Sequence, residues 1–139
     1  MSAQNSIAVY AAAIQFHLYS IVTPVPVYAN FNRNFANESK FITWQLRNVH
    51  QPVYTGVKAN KGIDRPTFQI NVFAQTMPDA FNLSDSVIQS LHGFQGVFGN
   101  PSGGGFFIAK ADVAMLLHTY DNESGLNQIV LDCTLDVPA

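Results

Sequence analysis

Between Arg65 and Phe94 the spacing of apolar residues changes from every second position to a helical stripe, and this switch constrains the fold more than any other feature of the chain. Phe68, Ile70, Val72 and Ala74 alternate with Thr67, Gln69, Asn71 and Gln75, the period of two expected of a half-buried strand. Ala80, Leu83, Val87, Ile88 and Leu91 then fall on one face of a helix. Thr76 is placed as its N-cap, with Asp79 three residues on as in a capping box, Pro78 in the first turn and Gly93 positioned to end it. Phe73 is the one large apolar residue on the polar side of the strand, and it is expected either to make a contact at an interface or to pack locally under a loop.

Other segments supply partners for that strand. Residues 41–49 predict a second one, with Ile42, Trp44 and Leu46 on the core face and Thr43, Gln45 and Arg47 opposite. A closing strand over 127–137 points Ile129, Leu131, Cys133, Leu135 and Val137 inward and Gln128, Asp132, Thr134 and Asp136 outward. Phe107, Ala109, Ala111, Val113 and Met115 alternate with Phe106, Ile108, Lys110, Asp112 and Ala114, so this strand is partly covered on both faces. Val25 to Tyr28 reads as a short edge strand between prolines. The expected fold is α+β: an antiparallel sheet of about four to five strands, two helices packed on one face, a polar and weakly acidic opposite face, and a long hairpin-like loop.

The first helix is expected over 7–22, with Ile7, Ala11, Ile14, Leu18 and Ile21 as its stripe and Pro24 ending the pattern. This stretch lacks a basic leader and contains Gln15 and His17, so neither a signal peptide nor a membrane span is expected. At 139 residues the chain suits one domain over 1–139, with loops at 29–40, 50–64 and 95–105 that are flexible or form interfaces.

Charged residues make up 12% of the chain, against about 25% in an ordinary soluble domain, and there are eleven phenylalanines. A surface largely buried against other subunits has this character, because interface cores lose charge and gain aromatics. A net charge of −2 with scattered Lys and Arg argues against a dedicated nucleic-acid binder. The single Cys133 excludes an intramolecular disulfide and reads as a buried thiol.

Catalytic patterns are missing. His17, His50, His92 and His118 show no metal-ligand spacing. Ser102 has no nucleophile elbow around it, and the glycine run after it lacks the Lys-Ser/Thr pair of a phosphate-binding loop. Asp132 and Asp136 lie about 13 Å apart along a strand, too far for a glycosidase pair. No enzyme activity, cofactor or metal is expected.

The run Val72-Phe73-Ala74-Gln75-Thr76, the Asp-bearing helix closing on Leu91 and Gly93, and the turn at Tyr120-Asp121 before a final strand resemble the tail-terminator or tail-completion proteins of long-tailed bacteriophages. The resemblance covers roughly residues 65–137 and extends loosely over 5–46. It implies a virion protein, assembled in the host cytoplasm, that forms a hexameric ring. Such a ring caps the tail tube, meets the tube protein on one face and neck or head–tail connector proteins on the other, and lets DNA pass through its lumen without specific binding. Contact residues are then expected at Phe73, at Val53, Tyr54, Val57 and Lys58 of the first long loop, and at Phe98 and Phe106 around the second, since rigid scaffolds display recognition on loops. Asp132 and Asp136 are the candidate lumen residues, where acidic walls would repel phosphate. A neighbouring head-completion protein is one alternative. A dimeric small-ligand module or enzyme, with Trp44 and His50 at its pocket, is another.

Overall fold

The computed structural model describes residues 6–32, 38–50 and 63–138. Helix α1 runs over Ile7–Val22 and is followed by strand β1 at Val27–Ala29 and strand β2 at Lys40–His50. Strand β3 spans Ile63–Ala74 and leads into helix α2 at Met77–Leu91. Strands β4 (Gly96–Phe98), β5 (Phe106–Ile108), β6 (Lys110–Asp121) and β7 (Leu126–Pro138) complete the chain. Five strands form one sheet in the order β1-β2-β3-β7-β6, and β4 and β5 form a separate hairpin. The fold is α+β, as the sequence predicts, with two differences in the strands.

First, the sheet is mixed. β1 lies parallel to β2, with Val27 beside Ile42 and Ala29 beside Trp44, while the other pairs are antiparallel. The chain leaves α1, lays β1 down beside the start of β2, and must return through 30–39 before β2 can begin in the same direction. Second, the expected connection over 95–105 contains strand β4, and the strand expected at 106–115 is divided into β5 and β6. The backbone breaks at Ala109, whose N–H donates to the Asp136 carbonyl at 2.8 Å.

α2 forms where the spacing predicts it. Thr76 accepts a hydrogen bond from the Asp79 N–H at 3.3 Å, and Ala80, Leu83, Val87 and Leu91 are buried. At its end Gly93 takes φ +80°, a conformation glycine adopts without steric cost. α1 is rotated from expectation. Its buried residues are Tyr10, Ala13, Ile14, His17, Leu18 and Val22, and Ile7 is 67% exposed. The helix is apolar nearly all round, so its sequence alone does not mark which side faces the core; the β4–β5 hairpin does, by packing over Ala13 and His17.

That packing is close. Gly99 has φ +92°, and a Cβ built there would lie 2.9 Å from Ala13 Cβ and 3.1 Å from its backbone Cα. Gly99→Ala is therefore expected to destabilise the protein by about 2 kcal/mol or more, since both strain and collision oppose it. Chemical denaturation of the variant checks this; an unchanged midpoint would show that the hairpin is not held against α1.

The main core lies between the helices and the sheet. Phe68, Ile70, Val72, Ala74, Leu131, Cys133 and Leu135 show no exposed surface. Burial, followed by the nearby carboxylates of Asp132 and Asp112, pushes the Cys133 thiol up to about 12, so it packs as an inert apolar group. Asp64 is also on this side, 2% exposed, and accepts from the Tyr10 hydroxyl at 2.5 Å. This bond ties α1 to the start of β3.

Candidate functional site

The helices leave the other face of the sheet uncovered, and the strand registers set its surface in rows. Phe41, Phe73, Gln128 and Thr119 form one row across β2, β3, β7 and β6. Thr43, Asn71, Val130 and Leu117 form the next, and Gln45, Gln69, Asp132 and Ala114 the third. The polar residues predicted to share a face do share it.

Asn71 organises the middle of this surface. It is 5% exposed, and its Oδ1 accepts from Gln69 Nε2 at 3.0 Å and from Gln128 Nε2 at 3.2 Å. Its Nδ2 donates to Thr43 Oγ1 at 3.2 Å. Because each glutamine spends an amide N–H on Asn71, its carbonyl oxygen is left to act as an acceptor at the surface. The Phe41 and Phe73 rings stack at 4.8 Å beside this network, and Tyr28 meets Phe41 edge-on at 6.3 Å.

Two loops raise walls at this end of the sheet. On one side Asn30 adopts φ +64° and turns the chain so that Phe31 stands 64% exposed over the sheet. Asn32, 3% exposed, anchors the turn by donating to Glu38 Oε2 at 2.6 Å. Tyr28 donates to the other oxygen of Glu38 at 2.5 Å. Hydrogen bonding to that carboxylate, then desolvation, holds the Tyr28 phenol above its ordinary pKa. On the other side the β6–β7 turn is closed by Asp121, which accepts from the Glu123 N–H at 3.0 Å and the Ser124 hydroxyl at 2.9 Å. Together the walls and the amide floor enclose a groove of about 420 Å³ in which Asp121 is the only charged lining residue among the described residues.

Phe73 is on this face, half-buried by Phe41 at the groove floor. Phe106 is half-buried and packs edge-on to Tyr10 at 5.3 Å. Phe98 departs from the expectation of a contact residue: it has no exposed surface and stacks on His17 at 4.3 Å, so its ring is occupied within the core. Val53, Tyr54, Val57 and Lys58 lie outside the described residues.

The expected acidic face is also corrected. Asp132 pairs with Arg47 at 2.9 Å and Asp136 with Arg65 at 3.2 Å, which cancels their charge locally. Trp44 and His50 do not share a site. Trp44 is buried on the helix side, where its Nε1 donates to Gln15 Oε1 at 2.6 Å. A bulge between Leu46 and Asn48 then reverses the alternation, placing His50 on the opposite face beside Arg65.

Several exposed apolar residues were not anticipated. Met115, Leu116 and Leu117 surround a second bulge, on the edge strand β6, and Val97 and Phe107 face outward from the β4–β5 hairpin. Three consecutive apolar residues after a clean alternation are the signal that would have marked the bulge. Among the described residues no three His, Cys, Asp or Glu side chains are grouped to hold a metal, and no helix is long and apolar enough to cross a membrane.

No family model and no curated protein sequence matches this chain. Solved structures share its fold. A chain from the virion of a native gene transfer agent particle aligns with a TM-score of 0.63 and 16% identity, over 96% of this chain and 100% of that one. A second solved chain aligns with a TM-score of 0.65 and 12% identity over 96% of each. Similarity to the sheath/tube terminator of an extracellular contractile injection system in its extended state is weaker, with a TM-score of 0.44 and 12% identity over 99% of this chain and 58% of that one.

Proposed function

We propose that this chain is a structural, non-catalytic virion subunit that assembles as a hexameric ring, caps the tail tube of a phage-like particle and joins tail to head. The observation that carries this reading is the end-to-end agreement in fold with a gene transfer agent virion chain. The uncovered sheet face supports it, because stacked rings and an ordered amide network there add nothing to the helix-side core. Its partners are further copies of itself, a tube protein and neck or connector proteins. The lumen wall is assigned to the sheet bearing the Arg47–Asp132 and Arg65–Asp136 pairs, which offers DNA a surface of no local net charge.

Size-exclusion chromatography with light scattering tests the assembly. A hexamer is expected, and a dimer that persists across concentrations would overturn it. Immunogold labelling of particles is expected at the head-proximal end of the tail; label on the capsid alone would place the subunit elsewhere. The groove favours a second reading, a module binding a small neutral ligand, because its volume lies within the usual range for ligand pockets. A dimer with a bound small molecule would support that alternative.

A further inference from the structure

We propose that the groove between Phe31 and the β6–β7 turn receives the 51–62 segment of a neighbouring copy, a head-to-tail contact that rests on the ring assembly proposed above. The groove is built for contact. A non-glycine residue at positive φ and a buried asparagine hold Phe31 out over it, although exposing that ring does not help the chain to fold. Its floor presents the amides of Gln69 and Gln128, its far wall carries Asp121, and among the described residues no lysine or arginine lines it.

Residues 51–62 have the complementary composition. They contain Lys58 and Lys61 with no acidic residue, and Val53, Tyr54 and Val57 supply apolar groups for the rings. The ends of the segment and the groove lie at opposite ends of the same strands. This segment leaves the sheet at His50 and rejoins it at Ile63, whereas the groove lies toward the opposite ends of β2 and β3, around Phe41 and Phe73. Gln45, at the groove, is already about 17 Å from His50 by strand rise. A chain with a donor segment at one end of its sheet and an acceptor groove at the other has the two unlike surfaces that a heterologous ring interface needs.

Charge exchange tests the contact in the intact protein. Gln45 is exposed in the groove, so Gln45→Lys introduces a repelling charge without removing a hydrogen bond. By sedimentation velocity at low salt, Gln45→Lys alone, and Lys58→Glu with Lys61→Glu alone, are each expected to weaken self-association about tenfold, and their combination to recover most of it. Circular dichroism should show all three variants folded. Photo-reactive benzoylphenylalanine at Phe31, in a mixture of light and heavy isotope-labelled chains, is expected to cross-link to residues 51–62 of the other isotope. Rings that form with undiminished affinity in the single-site variants, or cross-links confined to one copy or to other segments, would overturn the groove contact while leaving the ring intact. A chain that remains monomeric throughout, with no cross-copy product, would overturn the ring reading as well.

Discussion

Phe98→Ala is expected to cost about 3–5 kcal/mol, the range for removing a fully enclosed aromatic ring from a core. Phe98 has no exposed surface, stacks on His17 at 4.3 Å and lies 6.0 Å from the Phe106 ring. Its neighbours belong to α1 and the β4–β5 hairpin, and a cavity there would loosen the grip of one on the other. The loss is a large share of the roughly 5–15 kcal/mol that holds a domain of ordinary stability together. It should appear as a fall in melting temperature of roughly 10 °C or more. The same substitution separates two roles. An interface residue would weaken association and leave the isolated subunit's unfolding midpoint unchanged; a core residue lowers the midpoint of the subunit itself. Urea denaturation at a concentration where the chain is monomeric distinguishes them, and an unchanged midpoint would return Phe98 to the surface.

The contrast between Phe98 and Phe73 shows where sequence patterns are informative. Phe73 lies in a long strand whose alternation is unbroken from Phe68 to Ala74, so parity alone places its ring on the outer face. Phe98 lies in a three-residue strand within a glycine-rich segment, too short for any period to register, and its burial depends on where the hairpin docks. Local signals likewise predicted α2, whose cap and stripe are contained in one stretch of chain. The parallel pairing of β1 could not be predicted in this way, because it follows from the return path of the chain and not from the residues of β1. Bulges after Leu46 and Met115 have the same character: one extra residue reverses the faces, so Trp44 and His50 separate and Leu117 moves to the uncovered side.

The candidate site was legible only in its floor. Gln69, Asn71, Thr43 and Gln128 could be placed together from strand parity, but the walls depend on the left-handed turn at Asn30 and the Asn32–Glu38 bond. The neutrality of the face was hidden for a similar reason. Arg47 and Asp132 are 85 residues apart in sequence, and their pairing requires the register of β2 through β3 to β7. Such exposed pairs contribute about 1 kcal/mol or less to stability, so their consequence is for the field over the sheet and not for the fold.

Stability is expected to fall as the pH drops below about 6.5, and His17 is the cause. Its ring lies between Phe94 and Phe98, and its Nδ1 accepts from the Gly99 N–H at 3.5 Å. Burial lowers its pKa to about 4, against 6.5 for the free side chain. The unfolded chain therefore takes up a proton at a pH where the folded chain does not. The stabilising contribution of the neutral, buried ring is complete above pH 6.5 and declines as the pH falls toward 4. The difference in pKa corresponds to about 3 kcal/mol over that interval, an upper figure because water entering at the hairpin would reduce it. Below about pH 4 both states are protonated at this site, and no further change from it is expected. His17→Gln keeps a polar side chain but cannot titrate. Denaturation series of the two proteins at pH 7, 6, 5 and 4.5 should show the wild type losing stability relative to the variant at each step. Parallel curves would show that the His17 ring is not held neutral in the folded protein. A wild-type decline with the opposite pH dependence would mean that the folded state stabilises the imidazolium, which burial of the ring and the Gly99 N–H donor both oppose.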